Sequence, residues 1–202
     1  MNVHADACAA LENFTHPDPC QQQLAREYRD FLDSHADGLW RECRPGHITA
    51  SALVIDQSAQ HVLLTLHPKV GRWLQLGGHL EPGDSSLRAG ATREVIEECG
   101  LSAGFISQGP LRLDRHPVPC GRGPEGEPLR SEHLDVQYLV VVPEPARPTI
   151  SAESDDLRWF TPAALPEVDD SVSALIADAH RALAAHDDGD GFWPPAGWVS
   201  FG

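Results

Sequence analysis

Polar and apolar positions in the first 45 residues follow the period of an α-helix. Asp18 followed by Pro19 is typical of a helix N-terminus, because Asp caps the first turn and proline fits the first helical position. Leu24, Tyr28 and Leu32 then recur every four residues, which places them on one face. We therefore predict a helical arm over residues 1–45 that covers the rest of the chain or a dimer partner.

From His47 onward, β-branched and other apolar residues favour strands. Strands are predicted at 47–56, 61–66, 72–76, 105–113, 134–142 and 157–160. Helices are predicted after the third strand, ending at Cys99 before Gly100, and over 170–186. Because these elements do not alternate as βαβ units, we expect an α/β fold with helices on the faces of a mixed sheet. One domain is predicted over residues 46–185.

Two further segments show neither the helical nor the strand pattern. Residues 117–131 are rich in Gly and Pro and predict a long surface loop. Residues 186–202 form a tail whose aromatic residues Phe192, Trp193 and Trp198 predict docking onto the domain or a partner.

Composition restricts the function classes. Apolar residues make up 41% of the 202 residues and charged residues 22%, as in ordinary globular proteins. No apolar run approaches the roughly 20 residues that span a bilayer. Five scattered cysteines without CxxC pairs favour reduced thiols, so we expect a cytoplasmic protein without membrane association.

The formal net charge of -15 argues against a nucleic-acid polymer as partner, because the chain would repel a phosphate backbone. A small phosphate substrate would meet the same repulsion. Bound divalent cations resolve it by inverting the local charge.

The stretch from Leu76 to Leu101 carries the candidate chemistry. Glu94, Glu97 and Glu98 stand at i, i+3 and i+4, so all three carboxylates share one helix face. Their mutual repulsion destabilises the helix unless a hard cation with oxygen ligands offsets it. A solvated acidic face is the alternative explanation for such a triplet alone.

The residues around the triplet favour the cation. Gly90 and Ala91 are small residues one turn before Glu94, and we expect them to leave room above the carboxylates. Arg93 lies four residues before Glu97 and is placed to pair with it. Val95, Ile96 and Cys99 are expected to face the core, and Gly77, Gly78 and Gly83 to let the backbone approach a metal or phosphate.

These residues resemble the Nudix box, the signature of the Nudix hydrolases. Gly78 matches its opening glycine, and Arg93 to Leu101 (R-E-V-I-E-E-C-G-L) matches its closing half in full. The first glutamate of the box falls at Asp84, and eight residues rather than seven separate it from Arg93. Asp84 is thus either a helix cap or a metal ligand. If it caps the helix, Glu81 is a candidate to replace it as metal ligand.

The resemblance implies a Nudix-like mixed sheet sandwiched between helices. It also implies Mg²⁺ or Mn²⁺ as cofactor, held by Glu94, Glu97 and Glu98 with the Gly78 carbonyl, and either Glu94 or Glu98 as catalytic base. The reaction would be hydrolysis of a phosphoanhydride bond in a nucleoside-diphosphate-linked small molecule. A further downstream carboxylate would come from Glu132, Asp135 or Glu153.

Substrate contacts are predicted at Arg72, His79 and Arg93, although a hydrogen-bonded structural role fits His79 equally. His67, His116 and His133 share no metal-ligand spacing, so we expect them to be solvated or hydrogen-bonded rather than metal-bound. Lys69, Arg122 and Arg130 are further basic residues near the predicted site loops.

Other functions stay open at this point. A non-catalytic nucleotide-binding or regulatory module on the same fold is the main alternative, motivated by the altered spacing at Asp84. A diphosphate isomerase is disfavoured, because the box is intact and the strand before it has no cysteine. The resemblance is compatible with a homodimer. Candidate substrates include dinucleotide cofactors, nucleotide sugars, damaged nucleoside triphosphates and coenzyme A derivatives.

Overall fold

The structure, a computed structural model, describes residues 2–122, 128–145, 147–151, 154–185 and 198–202, with side chains outside 120–129. The helices are α1 (Val3–Glu12), α2 (Pro19–Ser34), α3 (Leu87–Cys99) and α4 (Asp170–Ala184), with a 3-10 turn at Pro162–Ala164. The strands are β1 (Gly46–Asp56), β2 (Val62–His67), β3 (Arg72–Leu74), β4 (Leu76–His79), β5 (Gly104–Ile106), β6 (Arg112–Arg122), β7 (Pro128–Val142), β8 (Asp156–Phe160) and β9 (Val199–Phe201).

One mixed sheet joins these strands in the order β3-β2-β1-β7-β5-β9, with β4 on β1, β6 on β7 and β8 on β2. The pairing of β1 with β7 is parallel, and Gly46 to Asp56 run alongside Glu132 to Val142. The other pairings are antiparallel. The predicted mixed α/β architecture is confirmed.

The two faces of the sheet are buried by different helices. Even-numbered positions of β1, such as Ile48 and Val54, lie in a core cluster shared with α1, α2 and α3. Leu53 and Ile55 point to the opposite face and pack with Leu175 and other residues of α4. This alternation follows from the period of two along a strand. Toward the start of β1 the second face turns polar, with the buried residues His47, Thr49 and Ser51.

The N-terminal arm packs on its own chain. Its second helix begins after Asp18, whose side chain accepts the N–H of Cys20, as predicted. Gln21 of α2 then lies against β6, where its Nε2 donates to the Leu113 carbonyl at 3.0 Å and its Oε1 accepts the Leu113 N–H at 2.8 Å. Tyr28 donates to the Asp114 carbonyl at 2.6 Å. These side chains satisfy a strand edge that would otherwise attract another strand.

A buried ion cluster fixes the arm to α4. His16, which follows α1, lies 3.1 Å from the Asp178 carboxylate, and Arg112 of β6 donates to the same carboxylate at 2.8 Å. Arg181 contacts it as well. Desolvation is the main cause that lowers the pKa of His16, so the histidine joins the cluster as a neutral ring near pH 7.

Both ends of the segment predicted as a long loop are strands, whereas residues 123–127 between them lie outside the described residues. Strands β6 and β7 pair through Pro117 with Glu132, Val118 with Ser131 and Pro119 with Arg130. Within the described residues β6 pairs with β7 alone, so its two prolines, which lack an N–H, lie on an edge strand where they are tolerated. The predicted strand 105–113 is also two strands, because residues 107–111 leave the sheet between β5 and β6.

Part of the tail joins the sheet. Strand β9 pairs with β5, so that Phe201 lies beside Gly104, and Trp198 packs against the α4 side of the core. The predicted docking of the tail is therefore seen at Trp198, whereas Phe192 and Trp193 lie outside the described residues. Among the helices of the described ranges, none has the length and apolar character needed to cross a bilayer.

Candidate active site

Helix α3 carries the predicted metal ligands, and both of its ends are capped. Ser86 accepts the N–H of Ala89 at 3.0 Å. Asp6 of α1 accepts the N–H of Leu87 at 2.9 Å, so the arm also contributes to this helix terminus. Gly100 ends the helix with φ of 67°, the left-handed conformation that glycine adopts without steric cost, as predicted. The cap that we considered for Asp84 is thus supplied by other residues.

Of the three glutamates of α3, Glu94 lies against the end of β4. Glu94 and Glu98 are each 8% exposed, whereas the Glu97 side chain is 56% exposed. A Cβ atom at Gly78 would stand 2.7 Å from Glu94 Oε1, closer than real Cβ contacts. The glycine therefore lets the β4 backbone lie directly against the Glu94 carboxylate. Val95 and Cys99 are buried as expected, but Ile96 is exposed rather than in the core.

Arg93 joins the loop and the helix through all five of its N–H donors. Its Nε and Nη2 each donate to Asp84 at 3.1 Å, and Nη2 also donates to the His79 carbonyl at 2.9 Å. Its Nη1 donates to Glu94 at 3.0 Å and to Glu97 at 2.8 Å, which confirms the predicted pair with Glu97. With its N–H donors engaged, Arg93 is placed to position carboxylates, and the substrate contact that we predicted for it stays a prediction.

Asp84 is buried and serves Arg93 and the loop. Besides the two bonds from Arg93, its Oδ2 accepts the N–H of Glu81 at 2.8 Å. A Cβ at Gly90 would meet Leu80 at 2.6 Å and Asp84 at 3.2 Å. Gly90 therefore lets the loop approach α3, whereas we had expected it to leave space above the glutamates.

An open cavity of about 560 Å³ lies beside these residues. It is lined by Trp40, Arg41, Glu42, His79, Leu80, Glu81, Pro82, Arg93, Glu94 and Glu97. Trp40 and Arg41 come from the segment between α2 and β1 and were not among the predicted site residues, because their sequence neighbourhood carries no motif. Arg72 does not line this cavity; it is exposed on β3 and lies 3.9 Å from Asp169.

The candidate downstream carboxylates lie in other surroundings. Asp135 accepts hydrogen bonds from Thr49 at 2.8 Å and Ser51 at 2.6 Å, and desolvation raises its pKa. Glu132 is paired with Arg115. Neither lines the cavity, and Glu153 lies outside the described residues. The downstream ligand therefore stays a prediction.

Histidines that are distant in sequence meet beside the cavity. The rings of His47, His79 and His133 lie 4.9–5.1 Å apart, a grouping that ligand spacing along the chain does not predict. Desolvation by burial lowers the pKa of His47 and of His79 to about 4 and that of His133 to about 3. All three rings are thus neutral near pH 7. His116 is hydrogen-bonded to Asp114 at 2.6 Å, as expected, and this bond raises its pKa.

The residues on α3 and β4 fit a hard divalent cation. Three carboxylates on one helix face offer the oxygen donors that Mg²⁺ and Mn²⁺ prefer. Because Gly78 has no Cβ, the main chain of β4 lies directly against the Glu94 carboxylate. Arg93 offsets only part of the negative charge of Asp84, Glu94 and Glu97.

Comparison with known proteins places this geometry in a family. The NUDIX domain model matches residues 45–181, well over half of the chain. The NUDIX domain of Shewanella oneidensis NrtR, complexed with ADP ribose, is 21% identical and has a TM-score of 0.52 over 76% of this chain and 97% of that one. A NUDIX family hydrolase from Clostridium perfringens is 21% identical, with a TM-score of 0.48 over 69% of this chain and 97% of its own.

A MutT protein from Methanosarcina mazei Go1 is also 21% identical, with a TM-score of 0.46 over 67% of this chain and 93% of its own. No curated protein sequence matches the chain. The family match covers β1 to β8, α3 and most of α4, and it contains the complete closing half of the box. The chain therefore belongs to the NUDIX family, the family of the Nudix hydrolases.

Proposed function

We propose that the chain hydrolyses a phosphoanhydride bond in a nucleoside-diphosphate-linked small molecule, with Mg²⁺ or Mn²⁺ as cofactor. The observation that carries the proposal is the contact between β4 and α3, where the backbone of Gly78 lies against Glu94 beside an open cavity. Such an arrangement supplies both carboxylate and main-chain oxygens to a cation and leaves space for a substrate next to it.

Glu94, Glu97 and Glu98 would hold the metal, with the Gly78 carbonyl as a further donor. A bound divalent cation neutralises bridging phosphates and acidifies a water ligand. Glu94 or Glu98 would accept the proton of the attacking water; both carboxylates are mostly buried, and Glu94 also lines the cavity. Arg93 holds Glu94 and Glu97 in place through Nη1 and is a positioning residue.

The cavity offers two groups suited to a nucleotide. Arg41 is exposed at its rim and provides a cation for a substrate phosphate. Trp40 is half-buried and offers a ring on which a base can stack. His79 lines the same cavity, and its predicted substrate contact stays part of the proposal. A cytoplasmic location, a homodimer and the domain bounds stay predictions.

A non-catalytic module that binds nucleotides is the second candidate. The NrtR NUDIX domain, with which this chain shares its fold, was crystallised with ADP ribose. Asp84 in place of glutamate in the box motivates the same alternative. The two candidates share the cavity and differ in whether the bound compound is cleaved.

The deciding experiment measures mononucleotide and phosphate release from ADP ribose, nucleotide sugars, dinucleotides and nucleoside triphosphates, with Mg²⁺, with Mn²⁺ and with chelator. We expect metal-dependent cleavage of one class. Glu98→Gln should reduce turnover by about 100-fold or more, whereas Glu144→Gln, an exposed site beyond β7, should not change it. Binding of a nucleotide without cleavage across the panel would favour the module, and full activity of Glu98→Gln would remove Glu98 from the site.

A further inference from the structure

Three histidines from three strands surround one point beside the cavity. His47 is on β1, His79 on β4 and His133 on β7. One ligand atom from each ring can be chosen so that all three atoms lie within 4.8 Å of one another. Among the described residues, these three form the one group of His, Cys, Asp or Glu side chains found to place three ligand atoms this close together.

Strand register brings the three rings together. The parallel pairing of β1 with β7 sets His47 directly beside His133. The antiparallel pairing of β1 with β4 sets His79 beside Thr49, two residues further along β1 and therefore on the same face as His47. All three side chains project from one face of a rigid sheet, so the group does not depend on a loop conformation.

Three ring nitrogens of this cluster, on His47 and His133, lack protein hydrogen bonds among the described residues. His47 is fully buried, and across the described residues neither of its ring nitrogens has a hydrogen-bond partner. The same holds for Nε2 of His133. A buried ring nitrogen without a partner destabilises the folded state, and such groups in native proteins call for a ligand or an ordered water.

We propose that His47, His79 and His133 bind one borderline-soft transition metal ion, with Zn²⁺ as the most suitable. This site is separate from the carboxylate site on α3. Imidazole nitrogens select ions of the zinc type, whereas carboxylate oxygens select Mg²⁺ and Mn²⁺. The histidine cluster should therefore bind Zn²⁺, and the α3 carboxylates should bind Mg²⁺ or Mn²⁺.

The geometry suits four-coordinate binding with three protein ligands. With Zn–N bonds of about 2.0–2.1 Å, tetrahedral nitrogens stand roughly 3.4 Å apart, so the rings close on the ion by movements of about 1 Å. The fourth position belongs to a water or another small ligand. Because His79 also lines the cavity with Glu94, the ion lies at the boundary between the core of the sheet and the candidate active site.

Binding of Zn²⁺ to the metal-stripped full chain tests this inference. Calorimetry in excess Mg²⁺ should give one equivalent of tightly bound Zn²⁺, and Co²⁺ should give the intense visible bands of a tetrahedral nitrogen site. His79→Gln and His133→Gln should each weaken Zn²⁺ binding by at least about 100-fold and remove the rise in melting temperature that Zn²⁺ causes in the parent protein.

The matched control is His180→Gln, at a histidine of α4 that bonds to the Ala59 carbonyl and lies outside the cluster. It should bind Zn²⁺ as the parent does. His79 and His133 are only partly buried, so we expect both variants to fold, and circular dichroism verifies this. If one variant does not fold, Zn²⁺ binding by the other variant tests the proposal. Equal Zn²⁺ binding by all four proteins, an octahedral Co²⁺ spectrum, or absence of binding by the parent would overturn the proposal. None of these readouts requires the hydrolase activity.

Discussion

Replacing Arg93 with lysine keeps the positive charge but removes the planar fork that joins the β4–α3 loop to α3. The guanidinium uses five N–H donors on Asp84, Glu94, Glu97 and the His79 carbonyl. An ammonium has three donors, so at least two of these hydrogen bonds must be lost.

The structure sets the size of the expected effect. A hydrogen bond to a charged group contributes about 1.5–3 kcal/mol, which gives about 3–6 kcal/mol for two. The Glu97 side chain is 56% exposed, so water replaces its lost bond at little cost. The side chains of Asp84 and Glu94 are only 6% and 10% exposed. We therefore expect Arg93→Lys to lower the free energy of unfolding by about 2–4 kcal/mol.

Urea unfolding followed by tryptophan fluorescence measures this change. Arg88→Lys is the matched control, because Arg88 lies on the same helix and makes one exposed bond, at 3.3 Å, to the Gln108 carbonyl. It should stay within about 0.5 kcal/mol of the parent. If both variants unfold at the same urea concentration, the network around Arg93 does not stabilise the fold and our account of the box is wrong.

Three further predictions concern other parts of the site. Gly78→Ala places a Cβ 2.7 Å from Glu94 Oε1. It should lower metal-dependent turnover by about 10- to 100-fold with little change in the free energy of unfolding. Gly109→Ala is the control, because a Cβ there meets no atom within 4 Å, and it should change neither turnover nor stability. Asp6→Ala removes a cap from α3 and should lower the free energy of unfolding by about 0.5–2 kcal/mol in urea titrations; an unchanged value would show that Ser86 alone suffices. Burial lowers the pKa of His47 to about 4, below its unfolded value of about 6.5. The unfolded chain therefore binds a proton that the folded chain excludes, and metal-free stability should fall by up to about 3 kcal/mol between pH 7 and pH 4, a loss that His47→Asn should reduce.

Local patterns predict the elements of this fold well. The Asp18 cap and the Gly100 stop depend on neighbouring residues alone, so both are visible in the sequence. The same is true of the glutamate triplet, because helical spacing fixes which side chains share a face. The pairing of residues 117–122 with residues 128–132 was missed because Pro and Gly usually interrupt strands, and an edge strand is the exception.

Features that depend on register between distant strands are not visible locally. His47 and His133 meet only because β1 and β7 run parallel, and no residue near either histidine specifies that pairing. Trp40 and Arg41 line the cavity only because the chain between α2 and β1 folds beside residues of β4 and α3. The role of Asp84 likewise required the position of Arg93 in space, since the extra residue in the box left its sequence register open.

The attachment of the arm to β6 and α4 has a consequence for the order of folding. Gln21 bonds to a residue 92 positions later, and His16 to one 162 positions later. On the ribosome, α1 and α2 therefore leave the exit tunnel long before the surfaces that bury their apolar sides have been made. Contacts of such high sequence separation form late, since closing long loops is slow. The arm is synthesised before the domain that it covers, but we expect it to dock after that domain has folded.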